Sequence, residues 1–250
     1  MSEITVEGLS YFHGKDTPYE IKALDGIDLK IQKGMITGLI GGNGSGKSTT
    51  MRMIATLLKQ NSGTITINGV DTVKNPVEAR KQIGILLGGD VSLYDKLTAR
   101  ENILYFADLQ GMDPQDAEKS LAELSDLLGM NDFLDRQVTG FSRGMRQKVA
   151  FARSIIHNPD VLLLDEPSTG LDINSIKEVQ DFILFCKEKH KTILLSTHNA
   201  HEMETLCDNI VFIDEGKVIA EGEKEELLQK HGCKYVSDMF FKLRDGGEKR

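Results

Sequence analysis

The sequence predicts an α/β fold: a buried parallel sheet with helices around it, an antiparallel β subdomain beside it and a helical insertion subdomain. Three observations point there. Short, mostly apolar runs at 35–40, 83–87, 161–164 and 192–195 have the length and two-faced apolarity of strands covered on both sides. Amphipathic helical patterns separate them, most clearly at 173–189, as crossovers between parallel strands require. Segments 4–6 and 27–31 alternate instead, and an Asn68-Gly69 turn sits within 64–70, which gives half-buried antiparallel strands.

Size and composition allow this. The 250 residues suffice for one large α/β domain, and a 40% apolar content supports a sizeable core. Thirty basic against 38 acidic side chains give a net charge of −8 without any extended Lys or Arg run, so no nucleic acid is expected as partner. Cys186, Cys207 and Cys233 are odd in number and widely spaced, which suits neither a disulfide framework nor a metal or redox pair. The N-terminus lacks the basic-then-apolar order of a signal peptide, and no apolar run approaches the ~20 residues that cross a bilayer. A soluble, cytoplasmic protein is expected, reaching a membrane only through a partner.

In chain order, the first strand ends at Tyr11, Phe12 and His13, where a flat ring could stack on a nucleobase or simply pack. A polar loop is expected over 13–22, and the strand 27–31 closes at Lys33-Gly34. The buried run 35–40 then leads into Gly41-Gly42-Asn43-Gly44-Ser45-Gly46-Lys47-Ser48-Thr49, which fits G-x-x-x-x-G-K-[ST], and a helix is expected behind it at 49–58. A helix that begins at the end of such a loop aims its unpaired N–H groups and positive dipole end at an anion, and glycine lets the backbone wrap closely round phosphates. Lys47 should reach the β- and γ-phosphates of a nucleotide, Ser48 should ligate Mg²⁺, and Thr49 should help hold the α-phosphate. The core is therefore expected to be that of a P-loop NTPase.

After a stop at Asn61-Ser62-Gly63 comes the 64–70 hairpin, then the strand 83–87 and the loop 88–94. Thr98 and Glu101 form a capping box ahead of Ile103, Leu104, Phe106 and Ala107. Asp113-Pro114 opens a second helix with Ala117, Leu121, Leu124 and Leu128 on one stripe, so a helical insertion is expected over about 98–137. A third helix starts near Ser142 and stops at Asn158-Pro159. Strands 161–164 and 192–195 flank the crossover helix; a closing hairpin turns at Asp214-Glu215-Gly216. A short helix at 223–230 and helical spacing of Val236, Met239, Phe240 and Leu243 end the chain.

The strand 161–164 ends in Asp165 and Glu166, two carboxylates where ligands bind in open α/β sheets. Alone such a pair is an ordinary helix cap. Downstream of a P-loop, Asp165 is expected to hold Mg²⁺, directly or through water, and Glu166 to polarise the water that attacks the γ-phosphate.

Phe141-Ser142-Arg143-Gly144-Met145-Arg146-Gln147-Lys148, then Asp165-Glu166-Pro167-Ser168-Thr169-Gly170-Leu171-Asp172, then Leu195-Ser196-Thr197-His198, follow one another in a way that resembles the nucleotide-binding subunits of ABC transporters over nearly the whole chain. The resemblance implies a homodimer arranged head to tail, each ATP lying between the P-loop of one chain and the signature segment of the other. Ser142, Arg143, Gly144 and Met145 would then meet the ATP of the partner chain. Asp172 resembles the D-loop aspartate, and His198 resembles the switch histidine that senses the γ-phosphate and orients Glu166 and water. A stacking tyrosine of the family would fall near His13, with Tyr11 as the other candidate. The resemblance also implies one nucleotide-binding domain over 1–250, with a core at about 1–90 and 140–225, a helical subdomain at about 91–139 and a short extension at about 226–250.

Two positions depart from the family. Gly88 and Gly89 stand where a glutamine usually bridges Mg²⁺ to the transmembrane partner, so the usual coupling is in question; the common L-S-G-G-Q signature becomes Phe141-Ser142-Arg143-Gly144-Met145, which keeps the serine and second glycine. Both variants, together with residues 93–102, look like the sodium-extrusion (NatA-type) branch of the ABC-2 exporters. The function implied is ATP hydrolysis powering export, of sodium or another small solute, through a separately encoded permease, with the protein peripheral on the inner face of the cell membrane. Leu93 and Tyr94 are the candidate dock for a helix of that permease.

Two rivals compete. Gly140-Phe141-Ser142-Arg143-Gly144 also satisfies G-x-S-x-G, with Asp165 and His198 following in α/β-hydrolase order, but 131–139 is polar rather than the core strand an elbow needs. A soluble ABC-type ATPase in translation or DNA repair is the second rival. Those usually carry two nucleotide-binding halves or a long coiled coil, neither of which this sequence has, and the acidic balance is against nucleic acid.

Overall fold

The computed structural model describes residues 2–14, 17, 20–87 and 93–245. The N-terminal alternation builds the first of two sheets. β1 (Ser2–His13) pairs antiparallel with β2 (Ile21–Gln32), whose Ile27, Leu29 and Ile31 are buried on the expected period of two. Both strands outrun the alternation, and the loop expected over 13–22 is correspondingly shorter. Gly8 (φ 58°) and Gly26 (φ 64°) sit in the left-handed region, and the register shifts beside each of them. Side chains fill the broken ladder, with Asp28 Oδ1 accepting from Gly8 N–H and Ser10 Oγ from Gly26 N–H.

β3 (Ile36–Ile40) is buried at every residue and runs through the glycine loop into α1 (Lys47–Ile54). That helix stops short of the expected 58 because Thr56 turns into the left-handed region at φ 62°. β4 (Ser62–Ile67) and β5 (Val70–Asp71) form the Asn68-Gly69 hairpin, with φ of 49° and 79°, and complete an antiparallel sheet of order β2-β1-β4-β5. A short helix that the periodicity did not indicate, α2 (Pro76–Lys81), precedes β6 (Ile83–Leu86).

The insertion follows its start signals. Thr98 caps α3 (Ala99–Leu109) with the full reciprocal box, and Asp113 caps α4 (Pro114–Leu128), which ends at left-handed Gly129. Ser142 caps α5 (Arg143–Ile155). Beyond it lie β7 (Val161–Asp165), α6 (Ile173–Glu188), β8 (Thr192–Ser196), the unforeseen α7 (Ala200–Leu206), β9 (Asn209–Asp214), β10 (Lys217–Glu223), α8 (Lys224–His231) and α9 (Val236–Asp245). The second sheet has the order β10-β9-β3-β8-β7-β6, with every pair parallel except the edge hairpin.

One apolar cluster fills the space between the antiparallel layer and the parallel sheet, from Ile4, Leu29 and Ile65 across to Met51, Leu163 and Ile213. The other lies between the parallel sheet and the remaining helices around Phe151, Phe182 and Phe212. Leu227, Leu228, Val236 and Met239 of the last two helices belong to that second cluster, so the C-terminal segment is part of the core. Truncating a buried phenylalanine such as Phe151 should cost about 3–5 kcal/mol. Strand order positions everything that follows: β3, β8 and β7 are neighbours, so their carboxyl ends open side by side.

Candidate active site

The glycine loop is gripped from three sides. A Cβ on Gly41 would lie 2.2 Å from the Ile213 carbonyl oxygen, and one on Gly46 (φ 111°) would lie 2.6 Å from Leu24 Cδ2. Gly216 N–H donates to the Ser45 carbonyl at 3.0 Å, and Asp25 N–H donates to the Gly216 carbonyl at 2.9 Å. The antiparallel layer and the β9–β10 turn thus wall the loop, and only glycine fits at the two closest approaches. Asn43 and Gly44 are exposed, while Ser45 and Lys47 are buried.

Lys47 Nζ donates to the carbonyls of Gly41 and Gly42 at 2.8 and 2.9 Å. Burial pushes its pKa below the ordinary lysine value, and the charges of Glu166 and Asp165 pull it back up. The ammonium therefore sits within the field of both carboxylates at the end of β7. Ser48 and Thr49 lie half-buried in the first turn of α1, which begins at Gly46 without any side-chain cap.

Asp165 and Glu166 are handled differently by β8. Asp165 pairs in register with Ser196, whose hydroxyl donates to Asp165 Oδ1. Glu166 adopts φ 49°, a conformation few non-glycine residues take, and its N–H donates to the Ser196 carbonyl at 2.9 Å. Thr169 Oγ1 donates to Glu166 Oε2 at 3.2 Å, and His198 Nδ1 lies 3.3 Å from Glu166 Oε1. Carboxylate and imidazole are in contact.

The signature segment is a separate, open place. Ser142 is exposed, and its Oγ accepts from Met145 N–H at 3.2 Å. A Cβ on Gly144 would lie 2.7 Å from Ser175 Oγ, and one on Gly170 would lie 2.6 Å from Arg143 Cζ, so the segment leans on the start of α6 and the loop that leads into it. Met145 packs against the helical core. Asp172, the residue that resembles the D-loop aspartate, caps α6 within its own chain: Oδ1 accepts from Asn174 and Ser175 N–H, and Oδ2 from Ser175 Oγ. Gln147, buried in α5, donates through Nε2 to the Pro167 carbonyl at 2.8 Å.

The ring candidates occupy one strand end. Tyr11 is half-buried against the core of the antiparallel layer and directly opposite Leu24; His13 is exposed, and the two rings meet edge to face at 4.9 Å. The expected dock is corrected. Leu93 is only 8% exposed and belongs to the main core cluster, so it is not a surface side chain, whereas Tyr94 is 50% exposed. Asn102, buried in α3, explains this by accepting from Tyr94 N–H and donating to the Tyr94 and Thr98 carbonyls, which folds the loop inward. Gly88 and Gly89 lie outside the described residues.

Four positioning residues had no assigned role in the sequence: Ser196, Thr169, Gln147 and Asn102. Only Ser196 had a readable signal, a hydroxyl ending the strand expected beside the one that carries Asp165. The others act through contacts that sequence spacing does not encode.

A buried strand, a glycine loop ending in a helix, and two carboxylates at the tip of a nearby parallel strand define a P-loop nucleoside-triphosphatase. The order of the remaining segments narrows this further, and the chain belongs to the ABC transporter family, whose model matches residues 24–169. It is 44% identical over 226 residues to the ABC transporter ATP-binding protein NatA of Bacillus subtilis (strain 168), covering 90% of this chain and 92% of that protein. Over 211 residues it is 41% identical to the daunorubicin/doxorubicin resistance ATP-binding protein DrrA of Streptomyces peucetius, covering 84% of this chain and 64% of that one. A solved ATP-binding subunit of an ABC transporter superposes with a TM-score of 0.87 at 28% identity, over 97% of this chain and all of the other. A dimeric bacterial ABC transporter cassette superposes with a TM-score of 0.79 at 25% identity, over 88% and 98%. The chain is an ATP-binding, ATP-hydrolysing subunit of the transporter family, and neither the hydrolase nor the translation and repair reading stands. Among the described residues, no helix is long and apolar enough to cross a membrane.

Proposed function

We propose that two copies of this chain close head to tail around two ATP molecules, each P-loop facing the partner's signature segment, and that closure and reopening drive a separately encoded permease at the membrane. The observation that carries this is that Ser142 lies exposed at the start of α5, in a place separate from the walled P-loop of its own chain. Within one chain, Lys47 would leave the carbonyls of Gly41 and Gly42 for the β- and γ-phosphates, as an anion is the stronger partner for an ammonium. Gly42 to Gly46 would line the phosphates with N–H groups, and Ser142 and Gly144 would supply donors to the γ-phosphate from across the interface.

Ser48 and Asp165 offer a hydroxyl and a carboxylate near Lys47, the hard oxygen donors that suit Mg²⁺. When bound, the ion would neutralise charge on the phosphates. Glu166 takes a proton from the water that attacks the γ-phosphorus, as the bond to the bridging oxygen breaks and ADP leaves. His198, in contact with Glu166, holds that carboxylate and the water in line. His13, with Tyr11 against its edge, is the proposed adenine platform.

Export is favoured as the direction because DrrA is named for daunorubicin and doxorubicin resistance, and a small solute such as sodium is the cargo that the resemblance to the sodium-extrusion branch implies. The permease dock shifts from Leu93 to Tyr94, Tyr105 and Leu109, which form an exposed apolar stripe at the start of the helical insertion. Tyr94→Ala should leave ATPase activity of the isolated protein within about twofold while transport by the assembled system falls about tenfold; a parallel loss of both would exclude the dock. The test of the dimer is Glu166→Gln with ATP and Mg²⁺ in size-exclusion chromatography. A stable dimer with hydrolysis reduced about 10²–10³-fold is expected, and a monomer at saturating ATP would overturn the reading.

A further inference from the structure

The residues on either side of His198 are held by a relay that ends on a buried carboxylate. Glu202 of α7 is 1% exposed and Thr197 is 3% exposed. Thr197 Oγ1 donates to Glu202 Oε2 at 2.5 Å and accepts from Asn199 N–H at 3.0 Å, and Asn199 Oδ1 in turn accepts from His201 N–H at 3.0 Å to cap α7. The backbone before and after the histidine is thereby pinned to one short helix. Between the two pins the imidazole is 61% exposed and touches Glu166.

Glu202 Oε1, by contrast, has no hydrogen-bond partner among the described residues. A buried carboxylate with one oxygen unsatisfied is unfavourable, and a leucine or methionine would fill the same core position without that cost. The retained bond to Thr197 is the one interaction that only an acceptor at this place can make.

We propose that Glu202 and Thr197 are positioning residues for hydrolysis: they fix the turn that carries His198, so that the imidazole meets the Glu166 carboxylate when a nucleotide is enclosed. This rests on the reading of His198 as the residue that orients Glu166. It extends the site into α7, so displacement of that helix would be felt at the γ-phosphate through Thr197.

The test is a double-mutant cycle on the full chain, following kcat and KM for ATP, with a thermal melt for each variant. Thr197→Val should lower kcat about tenfold with KM within about twofold, as a small misplacement of a catalytic group acts on the chemical step. Thr197→Ser, which restores the hydroxyl, should recover most of the rate. In the His198→Ala background the Thr197→Val change should cost nothing more. If Thr197→Val alone keeps wild-type kcat while His198→Ala is slow, the relay is refuted and the histidine's role survives. An equal loss in both backgrounds refutes it too, because the hydroxyl would then act elsewhere than through His198. If His198→Ala itself is at wild-type rate, the underlying reading fails and the relay with it. Should Thr197→Val not melt cooperatively, Glu202→Gln takes its place in the same cycle; it turns a charge-assisted bond into a neutral one, and about a threefold fall in kcat is expected.

Discussion

Two helix N-termini of this chain face an anion in the proposed dimer, and they are built in opposite ways. α1 springs from left-handed Gly46 with no side-chain cap, at the end of a loop walled along one side, whose lysine folds back on the loop's carbonyls. α5 springs from exposed Ser142, whose hydroxyl caps the helix locally. The first is walled by β2 and the β9–β10 turn, and the second leans on α6 and the loop before it. A half-site completed within one chain can be dense. One that must receive a nucleotide carried by another molecule has to stay open, and its donors stay partly satisfied by local caps until then.

The largest difference between the two should appear on removing a donor from each. Lys47→Ala should abolish measurable nucleotide binding by the protomer and lower kcat/KM by about 10³-fold or more, because the phosphates lose a desolvated cation. Ser142→Ala should leave binding to the protomer unchanged by fluorescence titration, while hydrolysis falls about tenfold for want of the second half-site. Equal loss of affinity in both variants would erase the distinction.

A smaller effect separates the glycines. In Gly41→Ala the new methyl meets a backbone carbonyl at 2.2 Å, in a loop that cannot retreat, so the melting temperature should fall along with nucleotide affinity. In Gly144→Ala it meets the Ser175 hydroxyl at 2.7 Å, the far end of a side chain that can rotate away by giving up one exposed bond, that to Asp172. A loss of about 2 kcal/mol or more is expected for the first and less than about 1 kcal/mol for the second, by denaturant titration. Comparable losses would mean that the signature segment is as tightly built as the P-loop.

The same contrast governs what could be read before the structure. The P-loop is encoded by residues that are contiguous, so its glycines, Lys47 and Ser48 stand out in a linear pattern. The strands around it follow from apolar runs, and the caps Thr98, Asp113 and Ser142 from their residue types. What stayed hidden was carried by residues that look like surface. Glu202 and Asn102 are polar yet fully buried, held by partners elsewhere in space, and the short α2 and α7 present too few residues for a 3.6-residue period to emerge. Leu93 was misplaced because two neighbouring apolar residues in a loop give no indication of which of them the loop turns inward; Asn102 decides that.

The smallest effect concerns Asp172, which sits where the open half-site meets α6. Both of its oxygens are engaged within the chain, and the bond from the Ser175 hydroxyl, followed by that from the Ser175 backbone N–H, holds its pKa below the ordinary 3.8. A carboxylate whose folded pKa is depressed contributes its stabilisation in full above 3.8, and that contribution is lost as the pH falls through the lower folded value. No change is therefore expected near neutrality. Asparagine can still accept the two backbone N–H bonds, whereas alanine cannot, so Asp172→Ala should lower the melting temperature and Asp172→Asn should barely change it. If the cap is this residue's whole task, the asparagine variant should dimerise with ATP as the wild type does. If its charge also reaches across the interface, asparagine and alanine should weaken the ATP-dependent dimer alike, while only alanine lowers the melting temperature. That pair of measurements decides whether the open half-site owes its shape to one chain or to two.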